Sequence, residues 1–279
     1  MEKQGNIFYE QIIPISLTLV VFGLLVSALF FVIKFLNFLP LHGDIQLNLR
    51  FSDVLIGALI YFKTSVDFAV LIGLLMKSNQ GWKNRIAIEV GTALGNGLGT
   101  FIVLSFWVIF KQLHFLLGIM ILISALVLFE LAESGLKHFE VWKSGSGIKH
   151  KLYNFISIPL NFVLKYILPI TSKILPDFSK KLSGEKKLSW GKLMFFSLST
   201  PFILGLDDFA AYVPLFSLVN VYGFAIGVMA AHMLLNIGLF SFPDSTITVF
   251  KNRWISFAGT VVFMALAIWG VIEGIRIIV

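Results

Sequence analysis

From Ile12 to Leu39 the sequence carries only one charged residue, Lys34, and a helix of ~20 such residues already crosses a bilayer. Further apolar stretches of similar length follow. Inside hydrocarbon every backbone N–H and C=O must be paired within the chain, so these stretches read as helices. Seven are predicted: Ile12–Leu39, Asp53–Met76, Ile86–Phe110, Leu113–Leu131, Leu193–Phe216, Tyr222–Phe242 and Trp254–Ile278. Apolar residues make up 57% of the chain, charged residues 13%, and Phe alone occurs 29 times. A soluble domain carries about 25% charged residues and could not hide that much apolar surface. The predicted class is therefore an all-α membrane protein in one transmembrane domain, residues 1–279. Its first span is too long for a signal-peptide core of roughly 7–15 residues, and Glu2, Lys3 and Glu10 make no basic leader, so it reads as a retained helix. With no cysteine, disulfides, thiolate metal sites and iron–sulfur clusters are excluded.

The charge pattern sets an expected orientation. Between Leu136 and Lys192 lie eleven Lys against Glu140, Asp177 and Glu185, an excess greater than the +7 of the whole chain. Positive loops stay cytoplasmic. Counting spans from this loop puts the N-terminus inside and the C-terminus outside. Lys77, Lys83, Arg85, Lys251 and Arg253 then fall inside, and the uncharged Ser217–Val221 link falls outside. Within the loop, Leu152–Leu175 is apolar but broken by Pro159, Lys165 and Pro169. It reads as an amphipathic segment in the cytoplasmic interface, an eighth span being the alternative. Lipid headgroups account for the basic run, so membrane lipid is the expected partner and nucleic acid is not; nothing in the sequence sets an oligomeric state.

An internal repeat is legible. Ser65-Val66-Asp67-Phe68-Ala69 matches Leu206-Asp207-Asp208-Phe209-Ala210. Gly91-Thr92-Ala93-Leu94-Gly95-Asn96 matches Ala231-His232-Met233-Leu234-Leu235-Asn236, and the Asp67–Asn96 and Asp207–Asn236 separations are equal. The third helices end alike, in Glu133, Gly135 and Lys137 and in Glu273, Gly274 and Arg276. The predicted plan is an extra N-terminal helix (12–39), repeat 1 (53–135), the basic loop (136–192) and repeat 2 (193–279). Three spans per repeat is odd, so the two copies insert with opposite orientation, a transporter architecture.

The intramembrane polar residues are the candidate site. Asp67, Asp207 and Asp208 lie deep in their spans, and ionisable groups there are expensive. Opposed carboxylates can hold a divalent ion and neutralise its charge, or take up protons in its place. Thr200-Pro201, Gly205 and Pro214 predict a broken helix at the second motif, whose freed carbonyls could ligate an ion, or else a packing kink. Glu89, Thr92 and Asn96 share one helix face, as do His232 and Asn236, and together they offer carboxylate, hydroxyl, amide and imidazole ligands. That set suits Mn²⁺ or similar ions better than Cu(I). Each Asn also reads as interhelical glue, and Glu89 as a solvated end residue. Gly91, Gly95 and Gly99 read as helix packing. Lys63, four residues before Asp67, reads either as its ion-pair partner or as a side chain reaching the interface.

At Thr64-Ser65-Val66-Asp67-Phe68-Ala69-Val70-Leu71 and Gly205-Leu206-Asp207-Asp208-Phe209-Ala210 the chain resembles the lysine-exporter superfamily, nearest its cadmium-resistance, TerC-like and manganese-exporter branches. The resemblance spans roughly Asp53–Val279. It implies two inverted three-helix units and export of a divalent cation, manganese foremost, as substrate with no resident cofactor. Together with the polar helix faces above, this gives Asp67, Asp207, Asp208, Asn96 and Asn236 as the expected ion-binding residues, with Thr64, Glu89 and His232 around them. The implied location is a bacterial inner membrane. The chain departs from that family in its first helix, its single Asp in the first motif, Lys63 and its long central loop. Three other readings remain: an organic-solute or amino-acid exporter of the same fold, an intramembrane aspartyl protease, and a non-transporting scaffold that binds through the basic loop, which leaves the buried acids unexplained. Against the protease, the Tyr-Asp, Gly-x-Gly-Asp and Pro-Ala-Leu motifs are missing. A transporter that is not an enzyme is the expectation.

Overall fold

The computed structural model describes residues 12–40, 44–137, 147, 150–151, 153–155, 157–158, 160–161, 165, 188–204, 212–213, 215–216, 219–250 and 252–279, apart from a few side chains, Asp67 among them. Every regular element among the described residues is a helix. In chain order these are α1 Ile13–Phe38, α2 Phe51–Thr64, α3 Val66–Ser78, α4 Trp82–Phe110, α5 His114–Lys137, α6 Trp190–Leu204, α7 Val221–Ser241, α8 Pro243–Phe250 and α9 Arg253–Ile278. Proline near the start of α1 suits a first turn, whose N–H has no helical partner. Asn220 caps α7 by accepting from the Tyr222 and Gly223 amides, and Asn252 caps α9 by accepting from Trp254.

Five helices are long and apolar enough to cross a membrane: Ile15–Phe38, Trp82–Ile109, His114–Glu133, Val221–Ser241 and Gly259–Ile278. A sixth follows if α2 and α3 form one bent span. Of the predicted Leu193–Phe216 span, the structure describes α6 to Leu204 and four later residues. On α1, Leu19, Val20, Leu24, Phe31, Phe35 and Phe38 are exposed. In water each would forgo ~1.5–3 kcal/mol of burial. Six together rival the ~5–15 kcal/mol that holds a whole domain folded. Lipid removes that penalty.

The predicted Asp53–Met76 span is not one helix. It breaks at Ser65, which leaves helical geometry at φ −83°, ψ 21°, and the axis turns by 67°. Neither proline nor glycine stands there. The Thr64 hydroxyl donates instead to the Ile60 and Tyr61 carbonyls (3.1 and 3.2 Å), and Ser65 N–H also uses Tyr61 O. A hydroxyl competing for these carbonyls bends a helix. The break sets Lys63 and Asp67 on different helices, α2 and α3, and the Asp67 side chain lies outside the described residues. At the other predicted break, Pro201 lies within α6, and residues 205–211 lie outside the described residues.

By their contacts the helices fall into two compact units. One holds α1–α3, α4 to Phe106, α6, α7 and α8; the other holds the end of α4, α5 and α9. In the first, α2 and α7 run parallel with backbones in contact. A Cβ on Gly57 would meet the Phe224 carbonyl, and one on Gly227 the Val54 carbonyl. Small residues spaced by four permit this approach. Helix α6 runs parallel to α4, with Gly91 against Met194 and Ser197 and Gly95 against Leu198 and Pro201. Gly91 and Gly95 are thus packing residues, as expected. Helix α7 runs antiparallel to α4, since Arg85 meets Phe240 and Thr92 meets Asn236. In the second unit α5 and α9 are antiparallel, Gly118 lying against Gly274 and Ile278. Strict alternation of the predicted spans requires these same directions.

Of the predicted amphipathic segment, Tyr153, Ser157 and Leu160 are helical and buried, while Phe155 and Ile158 are helical and exposed. Residues 166–187 lie outside the described residues.

Candidate functional site

Helix α7 is buried along most of its length, so its polar residues must find partners inside the protein. His232 is 0% exposed and Asn236, one turn on, 1%. Asn236 Nδ2 donates to Thr92 Oγ1 on α4 and to His232 Nε2, both at 3.2 Å. Thr92 passes its own proton to the Glu89 carbonyl at 3.1 Å. With Nε2 accepting, the imidazole carries its proton on Nδ1 and donates it to the Tyr61 hydroxyl oxygen, 2.6 Å away. Tyr61 is on α2, one turn before the break. A single hydrogen-bonded chain therefore joins α2, α7 and α4: Tyr61–His232–Asn236–Thr92. Two aromatic rings flank the imidazole, Tyr61 edge-on at 5.6 Å and Phe68 of α3 tilted at 5.5 Å.

Around this chain several buried polar atoms have no hydrogen-bond partner among the described residues: Asn236 Oδ1, Glu89 Oε2, Asn96 Nδ2 and Ser65 Oγ. Each costs ~1–3 kcal/mol if left unpaired, more for a charged carboxylate, so such a concentration marks a place that a polar guest can satisfy. Glu89 is 3% exposed, which corrects its reading as a solvated end residue; it lies a full turn inside α4, under packed helices. Asn96 is buried one turn beyond Thr92.

Of the residues singled out in the sequence, the structure joins His232, Asn236 and Thr92 directly, with Glu89 contributing its carbonyl. Thr64 is half-buried and spends its hydroxyl on its own helix. The backbone of Asp67 is the second residue of α3, immediately past the break, and its side chain lies outside the description. Asp207 and Asp208 lie outside the described residues. Among the described residues no three His, Asp or Glu side chains group closely enough to hold a metal ion. Tyr61 was not anticipated. The signal was present: Asp53, Gly57 and Tyr61 recur every fourth residue, and all three are buried on one face of α2.

The hydroxyl–imidazole bond predicts a stability effect. Tyr61→Phe leaves the His232 Nδ1–H unpaired in a dry contact, which costs ~1–3 kcal/mol. The thermal midpoint of the purified protein should fall by several degrees; an unchanged midpoint would mean that the bond is not made.

An all-helical chain with five helices fit to cross a membrane, or six if α2 and α3 form one bent span, and with polar side chains buried between them defines a multi-pass membrane protein. No family model, curated protein or solved structure matches this chain.

Proposed function

We propose that the chain is a transporter that exports a divalent cation, manganese foremost, and that it is a lysine-exporter-type protein with two inverted repeats. The observation that carries this reading is the buried Tyr61–His232–Asn236–Thr92 chain beside a broken span. Polar groups on membrane helices are functional by default, and irregular backbone at membrane depth is tolerated where it serves a cavity or a ligand. The break places Asp67 at the start of a new helix. In this reading Asp67, Asp207 and Asp208 supply charge, while Asn96, Asn236, Glu89 and Thr92 complete a shell of oxygens. His232 holds Asn236 in place, and protons replace the ion on the return step. The N-terminus is cytoplasmic, the C-terminus external, and the membrane is a bacterial inner membrane.

A second reading, export of an organic or amino-acid solute, draws on the aromatic walls at Tyr61 and Phe68 and on the ungrouped metal-ligating side chains among the described residues. Thermal unfolding of the purified protein separates the two. Millimolar Mn²⁺ should raise the midpoint and lysine should not, because a ligand stabilises the state it binds by RT ln(1 + [L]/Kd). Stabilisation by lysine alone would favour the second reading, and none by either would count against both.

A further inference from the structure

At the end of the first unit opposite Asn220, α3 turns sharply into α4 through Gly81, whose φ of +102° suits glycine. This turn forms the floor of a pocket of about 310 Å³ lined by Met76, Lys77, Gln80, Trp82, Arg85 and Leu239. Ligand pockets start at about this size, ~300–1,000 Å³. Its polar lining is cationic or amide, and no acid lines it. Lys77 is held from outside by the exposed carboxylate of Asp244. Arg85 stands over the Phe240 ring, its Cζ 4.6 Å from the centroid. Its Nε is sealed from solvent and has no hydrogen-bond partner among the described residues. Its guanidinium gives the pocket a permanent positive charge and N–H donors suited to the oxygens of an anion. Trp82 opens the apolar span of α4, and indole rings are enriched at the ends of such spans, where they meet lipid headgroups.

We infer that this pocket is a phosphate-binding site. Arg85 is the principal cationic ligand, Gln80 and Lys77 are supporting donors, and the ligand is a phosphate ester, either an anionic lipid headgroup or a soluble phosphate. The site is independent of the transport reading: none of its residues belongs to the buried polar chain. A zwitterionic choline headgroup brings a cation among cations and is disfavoured.

The test is thermal unfolding of the full chain in neutral detergent with added phosphatidylglycerol, phosphatidylcholine or inorganic phosphate. Phosphatidylglycerol should stabilise the wild type and phosphatidylcholine should not. Arg85→Gln should weaken the phosphatidylglycerol effect about tenfold or more in half-saturating concentration. Lys111→Gln, the same loss of charge outside the pocket, should leave it unchanged. If inorganic phosphate stabilises as well, again through Arg85, the natural ligand is a soluble phosphate ester. Should Arg85→Gln fail to fold, Arg85→Lys is read instead; it keeps the charge but loses the fork, and should weaken binding too. Equal lipid dependence in wild type, Arg85 variant and Lys111 variant, or no stabilisation by either anion, overturns the proposal.

Discussion

Gly227→Val should leave almost no folded protein in the membrane. The new Cβ would fall on the Val54 carbonyl, and Gly57 on the facing helix is pressed in the same way by Phe224. Overpacking a core costs typically ~1–3 kcal/mol when side chains can yield. Here the obstacle is backbone on a rigid helix, so α2 and α7 must separate. Separation also breaks the Tyr61–His232 bond and removes the Asp53–Gly223 contact. The effect should therefore exceed the ordinary range. Gly23→Val on α1 is the control, since nothing lies within 4 Å of a Cβ there. Size-exclusion profiles of the two variants at matched expression measure the difference. Equal recovery would show that the α2–α7 contact is looser than described.

Asp67→Asn should abolish cation export while the protein still folds. Asn keeps the size and one carbonyl oxygen but removes the charge. An ion that sheds its hydration shell needs anionic ligands, and the charge term grows as the dielectric falls. The same argument applies to Asp208→Asn. Asn236→Leu should also cut export, by removing both Oδ1 and the link that orients His232 and Thr92. Manganese accumulation in cells, at matched membrane levels of each variant, reads the effect. Persisting export in all three variants and in the Asp67/Asp208 double variant would remove the proposed site.

Five of the seven predicted spans were legible because hydrocarbon imposes one rule on the whole segment: length and apolarity decide it. Helix directions followed from counting. Pairing through Gly91 and Gly95 was legible because only small residues let backbones approach. The break at Ser65 was not. Proline and glycine announce a kink in the sequence, as Pro201 and Gly205 do. A threonine hydroxyl that captures two carbonyls looks in sequence like any other helical threonine. The hydrogen-bonded chain was half legible. His232–Asn236 and Thr92 stood out as polar residues at helical spacing. Tyr61 reads as one more aromatic until α7 is placed beside it, because the bond joins residues 171 apart in sequence. Burial of Glu89 was hidden for a similar reason: sequence position near a helix start says nothing of what packs over it.

The most direct measurement is flux into proteoliposomes holding the purified wild-type chain, with Mn²⁺ on one side and a proton gradient across the membrane. The account predicts Mn²⁺ movement above empty liposomes, and its loss to background in Asp67→Asn and Asn236→Leu proteins that keep the wild-type elution profile. Folded wild-type protein that moves neither Mn²⁺ nor lysine, or Asp67→Asn protein that moves Mn²⁺ at the wild-type rate, would contradict it.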